Sequence, residues 1–199
     1  MATGAMNVVI ENYQSLVNDI QNIEKQSKKA VQRTISDFKS RGPGWVSQEI
    51  VKEYNIKKKD INEAKKGVSK GGNKIRIAGT SVDNLSILYR GRLLTPTHFG
   101  MRPTVRPAKN KPYAVTAQIK KGGGRKVLGR SVFLAPSGSA GTKQIPFQRR
   151  GEARIPIDVI KTLSVPQMVT NEKVAENIQK RMKEELGKRL EHHLKNLVK

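Results

Sequence analysis

The sequence predicts an α+β fold, with an antiparallel β-sheet, a long N-terminal helix, a short helix pair and a long C-terminal helix. Apolar residues recur at spacings of three and four over residues 10–39 and again after Asn171, which is typical of amphipathic helices. Between these stretches, apolar and basic residues alternate in short runs separated by Gly and Pro, which indicates strands joined by loops.

A chain of 199 residues is long enough for one domain with a substantial core. We therefore expect a disordered leader at 1–6 and a single domain at 7–199. Within it we expect a helical region at 7–66, a basic β region with long loops at 73–150, a crossover segment at 151–170 and the C-terminal helix at 171–199. The chain has no Cys, which excludes disulfides and thiolate chemistry. No apolar run approaches the roughly 20 residues of a membrane span.

The first helix is predicted to end at Arg41-Gly42-Pro43-Gly44, because glycine favours a helix C-terminus and proline cannot continue the helix. Residues 45–66 then predict two short helices, with Asn55 at the turn. This arrangement resembles half of a helix-turn-helix, whose second helix could enter a major groove. A purely structural helix pair is the favoured interpretation.

Alternation of apolar and polar residues predicts strands at 74–78, 84–89, 113–119, 127–134 and 145–148. The Gly-rich stretch at 120–126 lies between two of them. It lacks the G-x-x-x-x-G-K-[ST] spacing of a phosphate loop and no helix begins after it, so it predicts a hairpin tip. Its cations are candidate contacts for DNA or an acidic partner: Lys120, Lys121, Arg125 and Lys126.

The positive charge is concentrated in the middle of the chain. The net charge is +23, and residues 55–154 contain 23 basic and 4 acidic side chains, a net +19. A patch of this size attracts phosphate polymers in a salt-dependent way, and an anionic protein surface would serve equally well. Charge alone does not choose between these partners.

Residues 146–168 combine three prolines with many apolar side chains. Proline fixes φ and removes a backbone donor, so this segment cannot be helix or central strand throughout. An irregular segment this apolar should pack against a core or a partner, and a buried crossover loop is the favoured interpretation. Its candidate subunit or partner interface residues are Phe147, Arg149, Arg150, Pro166 and Met168.

The C-terminal helix is predicted to begin after Asn171, a good N-cap residue. Its apolar residues recur every four positions from Val174 to Val198. Four steps overshoot one turn by about 40°, so this stripe drifts around the helix. Core packing is the default explanation, and a partner contact at one end is the alternative.

The sequence offers no catalytic constellation. His192 and His193 are adjacent on a helix and point in different directions, so they do not form a metal pair. His98 has no partner that the sequence reveals, and acidic residues are scarce in 55–154, where a metal nuclease would need them. We therefore expect no enzyme, no metal and no cofactor.

Several sequence elements, in order and spacing, resemble the prophage minor tail protein Z family. These elements are Leu93-Leu94-Thr95-Pro96-Thr97-His98-Phe99, Phe147-Gln148-Arg149-Arg150-Gly151, Arg154-Ile155-Pro156-Ile157, Ser164-Val165-Pro166-Gln167-Met168 and Leu190-Glu191-His192-His193-Leu194. The resemblance implies a structural, non-catalytic protein that completes the head-proximal end of a phage tail and contributes to head–tail joining.

The same resemblance implies a homo-oligomeric ring around the DNA channel of a phage, prophage or tail-like particle. Its implied partners are the tail terminator, the tube and the head-completion or connector proteins, with assembly in the bacterial host cytoplasm and no membrane contact. One alternative from the residues is a free nucleic-acid-binding protein that uses segment 45–66 and the basic hairpin. A weaker one is an RNA-binding, ribosome-associated protein, which would share the charge and the loops.

Overall fold

The structure, a computed structural model, describes residues 5–9, 25–62, 74–108, 111–129, 131–137 and 143–196. The helices are α1 (Lys25–Glu53), α2 (Lys58–Asn62), α3 (Val165–Val169) and α4 (Glu172–Lys195), with 3₁₀ turns at Val82–Asn84 and Pro96–His98. The strands are β1 (Ala5–Val9), β2 (Lys74–Ala78), β3 (Ser86–Arg90), β4 (Thr116–Ala117), β5 (Lys126–Val127), β6 (Val132–Pro136), β7 (Gln144–Arg149) and β8 (Ile157–Val159). This architecture confirms the predicted α+β class.

Helix α1 runs for 29 residues straight through Gly42-Pro43-Gly44, so the predicted helix end at this motif is wrong. The apolar face continues across it, because Phe38, Trp45 and Val46 are all buried in one core. This shared burial outweighs the backbone hydrogen bond that proline cannot donate. The part of the first helix predicted at 10–24 lies outside the described residues.

The segment predicted as a helix pair therefore consists of the last third of α1 and the single turn of α2. Trp45 and Ile50 of α1 and Ile61 of α2 are buried, so these apolar faces belong to the core. Residues 63–66 of the segment lie outside the described residues.

The strands of the described residues form three small antiparallel sheets, with the orders β1-β3-β2, β4-β5 and β6-β7-β8. The first sheet directs Ile87 and Tyr89 of β3 into the core. Ala5 and Met6, which the sequence predicts as part of a leader, are in β1 and pair with Arg90 and Tyr89. The strand predicted at 127–134 is divided into β5 and β6, because Gly129 between them has a φ of 155° that only glycine adopts readily.

The main core lies between α1, α4 and the first sheet, and α2 and α3 also contribute buried side chains to it. From α4 it receives Val174, Ile178, Met182 and Leu186, and Leu190 one turn further on is also buried. The stripe is therefore buried from Val174 to Leu190, which is the favoured explanation for that part; Leu194 is partly buried, and Val198 lies outside the described residues. A second, smaller cluster contains Met101, Val115, Val132 and Leu134 and lies under one face of the sheet β6-β7-β8.

Ion pairs join α1 to α4 in antiparallel register. The Nζ of Lys173 donates to Glu53 at 3.1 Å, an Nη of Arg181 donates to Glu49 at 2.8 Å, and His193 contacts Asp37 at 3.0 Å. Glu49 is only 4% exposed and also accepts from Lys52 at 2.7 and 2.8 Å. Burial raises the pKa of Glu49, but the hydrogen bonds from Lys52 and Arg181 outweigh burial, so the net pKa is lowered.

The crossover segment is anchored in its second half. The N–H of Leu94 donates to the carbonyl of Leu163 at 3.0 Å, and the N–H of Thr162 donates to the carbonyl of Leu94 at 2.7 Å. Ser164 and Gln167 then form a capping box that starts α3. The first half, from Gly151 to Ile157, is exposed, so the predicted buried crossover describes only the part that leads into α3.

Substitution of the two glycines that flank Pro43 by alanine should have opposite effects. Gly44→Ala should raise the free energy of unfolding by about 0.5–1 kcal/mol, because nothing lies within 4 Å of the new Cβ and alanine favours the helix. Gly42→Ala should lower it by roughly 1 kcal/mol, because its Cβ would lie 2.9 Å from buried Ile87 and a residue before proline disfavours the α conformation. Urea unfolding measures both, and equal shifts would contradict the close packing at Gly42.

Glu49→Gln should destabilise the protein at pH 7. Lys52 and Arg181 remain partly solvated, so we expect a loss of about 1–3 kcal/mol, below the roughly 3–5 kcal/mol of a fully buried pair. Glu191→Gln, in an exposed pair with Lys195, is the matched control and should change little.

The effect of Glu49→Gln should also depend on pH. Since the folded pKa of Glu49 is lowered, its stabilisation is present above the ordinary value of 4.5 and is lost as pH falls through the folded pKa. The difference in unfolding free energy between wild type and Glu49→Gln should therefore shrink below about pH 4.5. A difference that grows towards acid would show that the carboxylate does not stabilise the helix pair.

Candidate functional site

The basic hairpin is fixed to the C-terminal end of α1. Strands β4 and β5 pair through Thr116 with Val127 and Ala117 with Lys126, which confirms the predicted hairpin. The N–H of Asn55 donates to the carbonyl of Ile119, and the N–H of Lys121 donates to the carbonyl of Glu53, both at 2.8 Å. The last carbonyls of a helix carry partial negative charge, so cations are favourable at this position.

Side-chain hydrogen bonds also stabilise the conformation of the hairpin tip. The side-chain amide of Gln118 donates to the carbonyls of Lys121 and Gly123 at 3.1 and 3.0 Å. Arg125 donates from an Nη to the carbonyl of Gly100 at 2.7 Å. Gly100 has a φ of 60°, and a Cβ there would lie 2.8 Å from the side-chain Nδ2 of Asn55. The turn whose carbonyl accepts the hydrogen bond from Arg125 therefore depends on glycine.

Three further cations, which sequence reasoning did not assign to this site, lie at the same end of the molecule. Lys57, Lys58 and Lys59 are exposed and follow Asn55 directly into α2. Lys57 is two residues after Asn55, so their Cα atoms are within about 8 Å of each other. Asn55 is in turn hydrogen-bonded to Ile119 of the hairpin, which places Lys57 close to the hairpin. The combined set is called the basic tip surface and comprises Lys57, Lys58, Lys59, Lys120, Lys121, Arg125 and Lys126.

A lysine triplet at a helix start is visible in the sequence, but its proximity to the hairpin is not. The hydrogen bond between Asn55 and Ile119 joins residues 64 positions apart, and no local pattern encodes it. The acidic residue on this turn, Asp60, contacts Nδ1 of His98 at 3.3 Å. His98 thus has a structural partner that the sequence did not reveal.

A second candidate site is one face of the sheet β6-β7-β8. The register places Phe133 opposite Phe147, Phe147 opposite Val159, and Arg149 opposite Ile157, so these side chains share a face. The two phenyl rings are stacked with centroids 6.0 Å apart and 25° between their planes. The guanidinium carbon of Arg149 lies 5.4 Å from the centroid of the Phe133 ring, which is a cation–π contact.

Arginines surround these rings. A groove of about 760 Å³ is lined by Phe133, Ser131, Gly151, Glu152 and four arginines, namely Arg106, Arg149, Arg150 and Arg154. Arg150 donates to both carboxylate oxygens of Asp158 at 2.6 and 2.8 Å, and this hydrogen bonding lowers the pKa of Asp158. The aromatic–arginine face is defined as Phe133, Phe147, Ile157, Val159, Arg106, Arg149 and Arg154.

The five interface candidates from the sequence fall into two groups. Phe147, Arg149 and Arg150 lie together at the end of β7, at or beside the aromatic–arginine face. Pro166 and Met168 are buried in α3, and Met168 is part of the main core. Their side chains are therefore not at the surface of the isolated chain.

Within the described ranges, no group of three or more His, Cys, Asp or Glu side chains could hold a metal ion. No helix in the same ranges is long and apolar enough to cross a membrane.

Fold and surface together define the class of this protein as a basic α+β protein with two cationic surfaces. The sequence matches the family model described as prophage minor tail protein Z (GPZ) over residues 4–199, nearly the whole chain, and the chain belongs to this family. It is a minor tail protein of a prophage, a structural role that associates it with the phage tail and other tail proteins. Neither the search of curated proteins nor the search of solved structures gave a match.

Proposed function

We propose that this minor tail protein completes the head-proximal end of the tail and contributes to head–tail joining, as a homo-oligomeric ring around the DNA channel. In this arrangement the basic tip surface faces the DNA, and the neighbouring tail terminator, tube and connector proteins contact other surfaces. Family membership supports the tail role. The basic tip surface, seven cations at one end of the fold, is the observation that supports the DNA contact.

A channel wall needs contacts that tolerate movement of the DNA. Phosphate contacts meet this requirement, because they are independent of sequence and their free energy comes largely from counterion release. The hairpin tip is held by backbone bonds to α1, so its cations are presented without the entropy cost of ordering a loop. Lysine suits this task, since it acts as a flexible point charge rather than as a bidentate reader of bases.

Sequence-specific reading by segment 45–66 is not favoured. Trp45, Val46 and Ile50 are buried in the core, and the described part of α2 begins with exposed lysines. Among the described residues, this end of the molecule therefore offers charge but no helix with a free face that could reach base edges.

Replacement of the exposed lysines of the basic tip surface by glutamine should reduce the salt dependence of duplex binding. In Lys57/Lys58/Lys59/Lys120/Lys121/Lys126→Gln, the slope of log K against log salt should fall by about 0.9 for each phosphate that the variant no longer neutralises. Fluorescence anisotropy over a range of salt concentrations measures this slope. Thermal stability should be nearly unchanged, because exposed charges contribute little to folding.

The matched control is Lys28/Lys29/Lys39→Gln, which removes exposed lysines from α1 away from the hairpin. It should leave the slope close to that of wild type. An equal fall per lysine removed in both variants would mean that only net charge matters, and a strong preference among unrelated duplexes would contradict a sliding contact.

Loss of the protein should leave complete heads and complete tails that fail to join. The test is deletion of the gene in the producing phage, followed by electron microscopy and complementation. Truncation at Asn171 is unsuitable, since α4 supplies Val174, Ile178, Met182 and Leu186 to the core. Normal yields of joined particles after deletion would reject the joining role.

A further inference from the structure

The aromatic–arginine face has apolar side chains that are not part of either buried cluster of the described residues. The opposite face of the same sheet packs Val132 and Leu134 against Met101 and Val115, so one side of the sheet is covered. Phe133, Phe147 and Val159 on the other side are only partly buried. Ile157 is 41% exposed. Ile155 borders the face, because the N–H of Arg150 donates to the carbonyl of the adjacent Pro156 at 3.3 Å, and it is 72% exposed.

The charge around this apolar centre is positive. Arg106, Arg149 and Arg154 line the groove together with one acidic residue, Glu152. Arg150 is already matched by Asp158. An occupant that is complementary in charge must therefore be acidic at its rim.

A second copy of this chain is a poor match. The acidic residues of α1, Asp37, Glu49 and Glu53, are engaged with Arg189, Arg181 and Lys173 of α4. The exposed carboxylates of α4 are interleaved with lysines, as at Lys183-Glu184-Glu185 and Lys188. The chain has 39 basic and 16 acidic side chains, so contact of this face with a surface of average composition on another copy brings like charges together.

Nucleic acid is also a poor match for the apolar centre. A duplex presents phosphates and sugars, which gain nothing from phenylalanine and isoleucine side chains. A single strand binds by stacking its bases on open aromatic faces. Here Arg149 lies over Phe133, and Phe133 is stacked on Phe147, so the ring of Phe133 and one face of Phe147 are already used within the sheet.

We propose that the aromatic–arginine face docks an acidic protein surface with apolar side chains at its centre. Such a composition, an apolar and aromatic centre with arginines at the rim, is what distinguishes protein interfaces from the remaining surface. The inference rests on the proposed function only in identifying that partner as another structural protein of the particle. It assigns protein docking to this face and leaves phosphate contact to the basic tip surface.

The test uses purified full-length protein and three labelled probes: a random copolymer of glutamate and tyrosine, polyglutamate of similar length, and duplex DNA. The copolymer should bind more tightly than polyglutamate, because it adds apolar contacts to the same charge. Ile155→Ser/Ile157→Ser should weaken copolymer binding about 10-fold, the scale expected for removal of one or two partly buried aliphatic side chains, with little effect on polyglutamate. Arg149→Gln/Arg154→Gln should weaken both polypeptides.

Two control variants match these changes. Leu93→Ser/Val127→Ser removes apolar side chains that are 44% and 58% exposed elsewhere on the surface, and Arg76→Gln/Arg90→Gln removes two exposed charges from β2 and β3. Both should bind the copolymer as wild type does. All the substituted positions are exposed, so unchanged melting temperatures are expected and confirm that binding differences do not arise from unfolding.

Three outcomes would overturn the proposal. Equal binding of copolymer and polyglutamate by wild type would show that the apolar centre contributes nothing. A loss of DNA binding in the face variants as large as the loss of copolymer binding would make the face a nucleic-acid surface. Conversion of an oligomer to a monomer by Ile155→Ser/Ile157→Ser, seen by sedimentation, would make the occupant a second copy. Because particle assembly is not measured, failure here is distinct from failure of the proposed function.

Discussion

The antiparallel packing of α1 against α4 is the constraint on which the rest of the structure depends. The buried faces of these helices form one wall of the main core, and the ion pairs of Glu53, Glu49 and Asp37 with Lys173, Arg181 and Arg189 fix their register. Glu49 is the critical member, because a buried carboxylate is tolerated only where donors satisfy it. Lys52 and Arg181 supply those donors, and the lowered pKa of Glu49 reflects their strength.

This helix pair also determines where the charge is presented. The carbonyl of Glu53 at the end of α1 accepts the backbone N–H of Lys121, while its carboxylate accepts Lys173 at the start of α4. One residue therefore links the helix pair to the basic hairpin. The short helix α3 begins at the capping box of Ser164 and Gln167 and leads directly into α4.

Local sequence patterns predicted the elements whose signals are local. The four-residue stripe of α4, the alternation in β2 and the glycine-rich hairpin are each properties of consecutive residues, and all are present in the structure. The pattern failed at Gly42-Pro43-Gly44, where burial of Phe38 and Trp45 in one core overrides the usual helix terminator. It could not place Lys57 beside the hairpin or Phe133 against Phe147, because both depend on pairings between distant segments. Burial of Met168 could likewise not be predicted from local sequence, because it depends on tertiary packing.

Presentation of the basic tip surface requires that the hairpin be part of the rigid helix pair rather than a mobile loop. Native-state hydrogen exchange of the amides of Asn55 and Lys121 tests this directly, since each donates a hydrogen bond across the junction. Both amides should exchange only when the C-terminal part of α1 opens. Their free energies of opening should therefore be similar to those of the backbone amides near Ile50. Exchange of Asn55 and Lys121 by low-energy local opening, while α1 stays protected, would contradict a rigid junction.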